Sequence, residues 1–245
     1  MMEMSDFDSE VSVIEYRVEN KYIVSDLDIA IISKRLKTIM KQDIHQNGDC
    51  YEIRSLYFDD VYDSCMEDND AGLDCRKKYR IRTYDSGNSP INLEIKEKRS
   101  GLTKKVKCDL SRKEYEAICN GTDMIGFGEK EPLNQLLLQM RCVNMRPKII
   151  IAYKRTAFVH PSGNVRITFD RNIMASKKTD CFFENNIHGM IPILPIGMHV
   201  LEVKYDELLP AQIAQQLEIG KLRKTAFSKY YLGRLAAEGD FLMSI

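Results

Sequence analysis

The stretch RKKYRIRTY, residues 76–84, places basic residues at alternate positions, in the manner of a β-strand. Side chains two apart in a strand share a face, so one face of this strand is basic along its length. That face consists of Arg76, Lys78, Arg80 and Arg82. Four like charges on one face repel one another unless carboxylates or an anionic ligand neutralise them. The stretch therefore predicts a strand whose charged face meets acidic side chains or binds an anion.

Five other segments place charged residues on one face of a predicted strand in the same way. A Glu-x-Lys spacing recurs among them and sets a carboxylate and an ammonium about 7 Å apart on the polar face. It occurs at Glu19-x-Lys21, Glu94-x-Lys96 and Glu202-x-Lys204. Carboxylates bind hard cations, whereas lysine and arginine bind phosphate. The polar faces also include Glu15, Arg17, Asn92, Lys98, Lys105, Lys107, Arg166, Thr168 and Asp170.

Strand-like and helix-like segments are interspersed along the chain, which predicts an α+β fold. Segments rich in Gly, Asn, Ser or Pro at 85–90, 99–101 and 160–164 predict antiparallel hairpins. The segment 172–197 has little period and is predicted to be a long irregular connection. The eight predicted strands span 14–24, 51–59, 76–85, 91–98, 103–110, 147–158, 164–170 and 198–206. The predicted helices span 26–41, 111–119, 130–141, 210–217 and 226–237.

Two arrangements would account for the charged faces. If the eight strands close with those faces inward, they form an antiparallel β-barrel whose tunnel is lined by Lys, Arg and a few Glu, with helices packed outside. A barrel of about eight strands encloses side chains or one slim ligand, a scale that suits a triphosphate. The alternative is that the charged faces are the solvated sides of ordinary amphipathic strands. Arginine in the central strands favours the tunnel, because planar guanidinium groups bind phosphate in a bidentate manner.

Composition limits the classes of protein to which the chain can belong. Its 245 residues fit one domain, predicted over 14–245 after a disordered or loosely ordered segment 1–13. With 36 basic and 36 acidic residues, no global charge favours nucleic acid or a membrane surface. Seven scattered cysteines without a C-x-x-C pair indicate reduced thiols in a cytoplasm. The sequence contains no run of 18 apolar residues, so no transmembrane helix is predicted.

Nine motifs follow one another along most of the chain. They are RVENKYIV (17–24), RSLYFD (54–59), RKKYRIRTY (76–84), LEIKEK (93–98), KKVK (104–107), YKRTAF (153–158), VRITFD (165–170), LEVKYD (201–206) and FSKYYLG (227–233). In this order they resemble the VTC domain, the polyphosphate polymerase module of the vacuolar transporter chaperone family. That family belongs, with the CYTH proteins, to the triphosphate tunnel metalloenzymes. The resemblance implies an eight-stranded antiparallel tunnel with a C-terminal closing helix, Mn²⁺ or Mg²⁺ as cofactor, and transfer of the γ-phosphate of ATP to polyphosphate.

The resemblance and the polar faces together assign roles to individual residues. Those expected to act in phosphoryl transfer are Arg80, Arg82, Lys96, Arg155, Arg166 and Lys229. Further candidates for binding ATP, polyphosphate, pyrophosphate or phosphate are Lys21, Arg54, Lys104, Lys105 and Lys204. The expected metal ligand is Glu202, with Glu19 and Glu94 as additional carboxylates.

Two positions depart from the pattern that the resemblance implies. Arg17 stands where the wider superfamily commonly has the first Glu of Glu-x-Glu-x-Lys, a difference that resembles the VTC branch and favours synthesis. Ala226 stands where a lysine is usual in the VTC pattern, while Lys224 lies two residues earlier. One phosphate contact is therefore expected to be weaker or displaced.

Other activities are compatible with the same tunnel. Water as the acceptor would make the chain a tripolyphosphatase or nucleoside triphosphatase, and cyclisation of ATP would make it a cyclase. A non-catalytic module that binds polyphosphate for a membrane protein is a further alternative. Since neither an SPX-like domain nor a membrane segment is expected in the sequence, association with a membrane would need a separate partner protein.

Overall fold

The computed structural model describes residues 17–44, 46, 48–85, 90–99, 102–121, 128–220 and 222–239. The predicted N-terminal segment 1–13 and Glu15 lie outside these residues. Ten strands are formed: β1 Val18–Ser25, β2 Lys41–Gln42, β3 Tyr51–Asp59, β4 Arg76–Tyr84, β5 Ile91–Arg99, β6 Leu102–Leu110, β7 Arg146–His160, β8 Val165–Ser176, β9 Ile191–Pro192 and β10 Met198–Tyr205. The eight long ones correspond to the eight predicted strands.

One curled antiparallel sheet contains all ten strands. The eight long strands follow the order β1-β10-β8-β7-β3-β4-β5-β6, while β2 pairs with β7 and β9 pairs with β8. The three predicted hairpins are confirmed by antiparallel pairing of β4 with β5, β5 with β6, and β7 with β8. The curl brings the two ends of the sheet close together, because Lys96 of β5 forms an ion pair with Glu19 of β1.

The prediction that residues 172–197 form an irregular connection was wrong for the first residues of this segment. β8 continues through Ser176, and its Ala175 pairs with both Ile151 of β7 and Ile191 of β9. The register of β7 with β8 shifts between Ala152 and Lys154, and Asn172 has a left-handed φ of 51°. An irregularity of this kind breaks the alternation of period two, which is why the end of the strand was not visible in the sequence.

Within the described residues, six α-helices pack against the sheet. They are α1 Asp26–Leu36, α2 Ser64–Asp70, α3 Arg112–Asn120, α4 Glu131–Cys142, α5 Ala211–Leu217 and α6 Lys229–Glu238. Ser25 and Ser111 form capping boxes with Asp28 and Glu114, so local sequence fixes where α1 and α3 begin. The first helix ends at Leu36 rather than 41, since Lys41 already pairs with Val159 in the sheet.

Helix α2 was not predicted. Its sequence SCMEDND lacks an apolar period, and its first amides are bound by a carboxylate that lies outside the helix. The Asp59 carboxylate accepts hydrogen bonds from the backbone amides of Cys65 at 2.9 Å and Met66 at 3.1 Å. The helix therefore depends on a contact between separate segments rather than on its own pattern.

The two sides of the sheet are covered differently. On the convex side, α1 and α5 bury an apolar cluster with β7, β8 and β10, including Ile32, Phe158 and Phe169. On the concave side, α6 approaches so closely that a Cβ at Gly233 would lie 2.4 Å from Ile151 Cδ1. The predicted closing helix is therefore α6, and it packs directly on the face that carries the charged residues. Within the residues described, no helix has the length and apolar character needed to cross a membrane.

Candidate functional site: a cationic concave face

The polar faces of several strands meet on the concave side of the sheet. Residues opposite each other in an antiparallel pair share a face. Glu94 lies opposite Arg80, and Asp170 lies opposite Arg155. Glu202 lies opposite Lys21 on one side and Thr168 on the other. The sequence-derived faces of β1, β4, β5, β8 and β10 thus line one interior, and β7 contributes to the same interior.

The first charged cluster surrounds the buried Glu94. Arg80 donates from Nε and Nη2 to Glu94 Oε2 at 2.8 and 2.6 Å, and Lys105 Nζ lies 3.3 Å from Oε1. Arg82 Nη1 is 3.7 Å from the same carboxylate. Burial raises the pKa of Glu94, but Arg80, Arg82 and Lys105 outweigh it and hold the pKa well below its usual range. Glu94 is therefore ionised and holds these cations in position.

A phenol belongs to this first cluster. Arg80 Nη1 donates to the Tyr57 hydroxyl at 2.9 Å. Burial raises the pKa of Tyr57, but the guanidinium groups of Arg80 and Arg82 reverse the effect, and the pKa is lowered from its usual value. Tyr57 comes from β3, whose sequence does not alternate in polarity, so its place on this face was not predicted.

The second cluster is centred on the buried Lys229, the first residue of α6. Its ammonium donates to Asp170 Oδ2 at 2.6 Å and to Glu202 Oε1 at 2.7 Å. Arg155 binds Asp170 in a bidentate manner, from Nε at 2.6 Å and Nη2 at 2.7 Å. Burial lowers the pKa of Lys229, but Asp170 and Glu202 outweigh it and raise the pKa. Lys229 therefore remains a cation throughout the neutral range.

The third cluster joins the first two strands of the sheet order to β5. Glu19 lies 3.2 Å from Lys21, 3.0 Å from Lys96 and 3.8 Å from Lys204. Lys204 also lies 3.3 Å from Glu202, so it links this cluster to the second. Burial lowers the pKa of Lys96 to about 8, although Glu19 opposes the shift. We call the side chains of the three clusters the interior network: Lys21, Arg80, Arg82, Lys96, Lys105, Arg155, Lys204, Lys229, Glu19, Glu94, Asp170 and Glu202.

Three predicted site residues lie outside the interior network. Arg166 faces the interior near the start of β8, where it forms an ion pair with Asp43 and donates to the Tyr51 hydroxyl at 3.3 Å. Lys104 lies opposite Glu97 on the other face of the sheet, because neighbouring residues of a strand point in opposite directions. Arg54 also lies on the other face of the sheet, opposite Thr83.

Arg54 is occupied by contacts on the convex side. Its guanidinium forms an ion pair with Glu52 at 2.6 Å and donates to the carbonyl oxygens of Glu184 and, at 3.2 Å, Asn185. These contacts tie β3 to the segment that follows β8. Arg54 therefore serves as a link between these segments and is not brought together with the interior cations.

Asp170 is a member of the interior network to which the sequence assigned no role. It lies on the predicted polar face with Thr168, and the need to neutralise inward-facing cations was a signal that could have identified it. Ala226 stands where the VTC pattern usually has a lysine, and the nearby Lys224 does not replace it in the interior. Lys224 is exposed, and its backbone pairs with Tyr22 of β1. Its side chain makes no ion pair with a described residue.

Two of the interior carboxylates are candidates for holding a metal ion. Among the described residues, no group of three or more His, Cys, Asp or Glu side chains could hold a metal ion. The predicted trio is therefore not assembled: Glu94 is bound by the first cluster, whereas Glu19 and Glu202 share the Lys204 ammonium. Mg²⁺ commonly takes one or two protein carboxylates and completes its shell with water and substrate phosphates. Glu19 and Glu202 fit that requirement as a pair.

Comparisons with known proteins agree with this architecture. The family model described as the VTC domain matches residues 16–237. Among curated proteins, none matches the chain. A putative adenylyl cyclase from Hippeastrum, described as having a dominant triphosphatase activity, has a similar structure with a TM-score of 0.53 and 13% identity, over 91% of this chain and 97% of that one. A putative adenylate cyclase from Bacillus halodurans gives a TM-score of 0.47 at 12% identity, over 83% and 87% of the two chains.

Proposed function

Because the chain belongs to the VTC domain family, we propose that it is a polyphosphate polymerase, which transfers the γ-phosphate of ATP to the end of a polyphosphate chain. The proposal rests on the interior network. Among the described residues, eight cations and four carboxylates meet there. This excess of positive charge, drawn from six strands and α6, suits a linear polyanion.

The guanidinium groups are expected to bind the transferred phosphoryl group. Phosphoryl transfer passes through a loose transition state with negative charge spread over the equatorial oxygens, so catalysis depends mainly on positioning and charge neutralisation. In the free protein, Glu94 and Asp170 hold Arg80 and Arg155 at distances of 2.6–2.8 Å. Phosphate oxygens would take over some of these donors. Because the donors are already oriented, little reorganisation accompanies binding.

The carboxylates of the network are poorly suited to act as general bases. The pKa values of Glu19, Glu94, Asp170 and Glu202 are all lowered, since nearby cations outweigh the effect of burial. Carboxylates with such low pKa values are poor general bases for activating water. The terminal oxygen of a polyphosphate is already ionised near neutral pH and needs no base. Polyphosphate synthesis therefore needs no general base from these carboxylates.

A divalent cation, Mn²⁺ or Mg²⁺, is part of the proposal. Glu202 and Glu19 would hold it together with oxygens of the bound phosphates. When bound, the ion would neutralise charge on the triphosphate and on the leaving diphosphate. Arg155 and Lys204, which contact Glu202 at 3.7 and 3.3 Å, would keep that carboxylate in place.

The products of ATP turnover test the proposal. The protein is incubated with ATP, Mn²⁺ or Mg²⁺, and pyrophosphate as primer, and the products are resolved by gel electrophoresis and chromatography. A polymerase gives ADP and a ladder of polyphosphate chains. Free phosphate without a ladder would identify a hydrolase, pyrophosphate with a cyclic nucleotide a cyclase, and binding without products a polyphosphate-binding module. Each of the last three results would overturn the proposal.

We also propose that the protein works in the cytoplasm, with membrane association, where it occurs, supplied by a separate partner protein. All seven cysteines are unpaired. Unpaired cysteines are typical of a reducing compartment, which supports the cytoplasmic assignment.

A further inference from the structure

Lys78 lies on the concave face beside the interior network but differs from its members. It is two residues before Arg80 on β4, so the two side chains share a face. Its Nζ donates to Asn69 Oδ1 at 2.6 Å and to Ser228 Oγ at 2.8 Å. Both acceptors are neutral. Within the described ranges, no carboxylate forms an ion pair with Lys78, whereas Lys96 has Glu19 and Lys105 has Glu94.

The register of the sheet places this lysine in a row of like charges. Lys78 lies directly opposite Lys96 on β5, and Lys96 lies directly opposite Lys105 on β6. Like charges opposite one another destabilise a sheet. Arg76 and Lys98 form the next opposed pair along β4 and β5. The positive face therefore continues past Arg80 toward the start of β4, where Glu19 binds Lys96 but no ion pair among the described residues involves Arg76, Lys78 or Lys98.

The charge of Lys78 is poorly supported in the free protein. Burial and the neighbouring cations Lys21, Arg76 and Lys96 together lower its pKa to about 7, while Cys65 opposes the shift. A bound anion would reverse this effect. The structure thus holds a half-buried amine, among cations and without a counter-ion, whose protonation an anion would restore.

Lys78 is also close to Lys229, which would contact the transferred phosphoryl group. Its acceptor Ser228 immediately precedes Lys229, and Lys21 Nζ donates to the neighbouring carbonyl of Phe227 at 2.8 Å. Lys78 and Lys21 therefore flank the entry into α6. A phosphate chain that leaves the arginines along the positive face would reach Lys78 and Lys96.

We propose that Lys78, together with Ser228, forms an additional phosphate-binding position that contacts a polyphosphate chain beyond the phosphates held by Arg80, Arg82, Lys96 and Arg155. The inference rests on the proposed function and adds a determinant of chain length to it. Polyphosphate would fill this position, whereas tripolyphosphate or the triphosphate of ATP would not extend to it.

A charge-removing variant with a matched control tests this position. Lys78→Gln keeps a donor for Ser228 but removes the charge, and Lys77→Gln makes the same change at a neighbour that faces away and lies 3.9 Å from Glu97. Isothermal titration calorimetry measures binding of tripolyphosphate and of long-chain polyphosphate to each protein. Lys78→Gln is expected to weaken binding of the long chain about tenfold, the effect of one charge-assisted contact, and to leave tripolyphosphate binding unchanged. Lys77→Gln should change neither.

The wild-type protein provides a second measurement that does not depend on the variant's folding. Titrations near pH 8 in buffers of different ionisation enthalpy give the number of protons taken up on binding. Long-chain polyphosphate should cause uptake in excess of that caused by tripolyphosphate, because the long chain alone recharges Lys78. Equal uptake, or an equal loss of both affinities in Lys78→Gln, would overturn the inference.

The outcomes separate this inference from the proposed function. A protein that binds long chains through Lys78 but makes no ladder from ATP would retain the chain-length position and lose the polymerase assignment. If the wild type makes the ladder but Lys78→Gln binds long chains with undiminished affinity, the polymerase assignment would stand and the chain-length position would be overturned. Failure of the wild type to bind either polyanion would overturn both.

Discussion

Lys229 joins two buried carboxylates, Asp170 and Glu202, which Arg155 and Lys204 also contact. Its Nζ lies 2.6 Å from Asp170 and 2.7 Å from Glu202, and the residue is only 8% exposed. Removing one partner of a buried ion pair typically costs about 3–5 kcal/mol, because the remaining charge is left uncompensated. We therefore expect both the stability of the fold and the proposed activity to depend on this side chain.

We expect Lys229→Met to lower the free energy of unfolding by about 3 kcal/mol and to abolish turnover of ATP. Urea unfolding monitored by circular dichroism measures the first effect, and ADP formation measures the second. Lys224→Met is the matched control, since Lys224 is exposed and lies only five residues away. A stability loss of the same size in both variants would show that the ion pairs with Asp170 and Glu202 are not its source.

Individual site residues could be predicted where a strand alternates in polarity. The faces of β4, β5 and β10 were read correctly from residues such as Arg80, Glu94 and Glu202, because period two alone decides which side chains meet. The face on which Arg54 lies could not be predicted in this way, since β3 is buried on both faces and its sequence shows no alternation. The contacts of Arg54 with residues 182–185 depend on the path of a distant segment, which no local pattern encodes.

At the level of elements, α6 connects the site to the rest of the fold. Two hydrogen bonds at 2.8 and 2.9 Å join Arg234 to Asp63, just before α2, and the Tyr230 hydroxyl donates to Asp59. On its other side, Gly233 lies against Ile151 of β7 and Ala175 of β8. The position of Lys229 therefore follows from contacts made along the whole helix.

Gly233→Ala should displace α6 and reduce activity more than stability. The added Cβ would lie 2.4 Å from Ile151 Cδ1 and 3.4 Å from Ala175 Cβ. Overpacking of this kind costs about 1–3 kcal/mol, of which the better helix propensity of alanine offsets about 1 kcal/mol. We expect a net loss of about 1 kcal/mol by urea unfolding and a clear drop in the rate of ADP formation, because Lys229 moves with the helix.

A second substitution checks this explanation of Gly233→Ala. Ile151→Val removes the Cδ1 atom that the new methyl group would strike, so the double variant should recover activity relative to Gly233→Ala alone. The single variant Ile151→Val serves as the control for the cavity that the double change leaves. If the double variant is no more active than Gly233→Ala, the close approach to Ile151 is not what positions the helix.

Elements with a strong local signal were predicted, and those that depend on distant partners were not. All eight long strands and five helices follow from alternation, helical spacing and caps such as Ser25 and Ser111. Helix α2 was missed because the Asp59 carboxylate binds its first amides from outside the helix. The last part of β8 was missed because the register shift near Ala152 interrupts its pattern.

For the whole molecule, the balance of 36 basic and 36 acidic residues conceals a separation of charge. The interior network contains twice as many cations as carboxylates among the described residues. The remaining chain is therefore net acidic. A net charge of zero argued against attraction of polyanions to the molecule as a whole. The alternation of side chains along the strands was needed to show where the positive charge is concentrated.

The network also makes the stability of the whole fold depend on pH in a definite direction. Glu19, Glu94, Asp170 and Glu202 have pKa values lowered by neighbouring cations, whereas the unfolded chain has values of about 4. Below about pH 5 the unfolded state begins to bind protons that the folded state does not, so stability falls as the pH falls. The stabilisation is fully present above the unfolded pKa values and is lost progressively as the pH approaches the folded ones.

We therefore expect the free energy of unfolding to change little between about pH 6 and 8 on account of these four groups, and to decline steeply below about pH 5. Urea unfolding at a series of pH values measures the slope. Glu94→Gln should make the slope shallower, because one carboxylate with a lowered pKa no longer takes part. Glu116→Gln is the matched control, since its ion pair with Arg112 at 2.9 Å is exposed to solvent and should leave the slope unchanged. A slope that is identical in Glu94→Gln and the wild type would mean that the acid sensitivity arises outside the interior network.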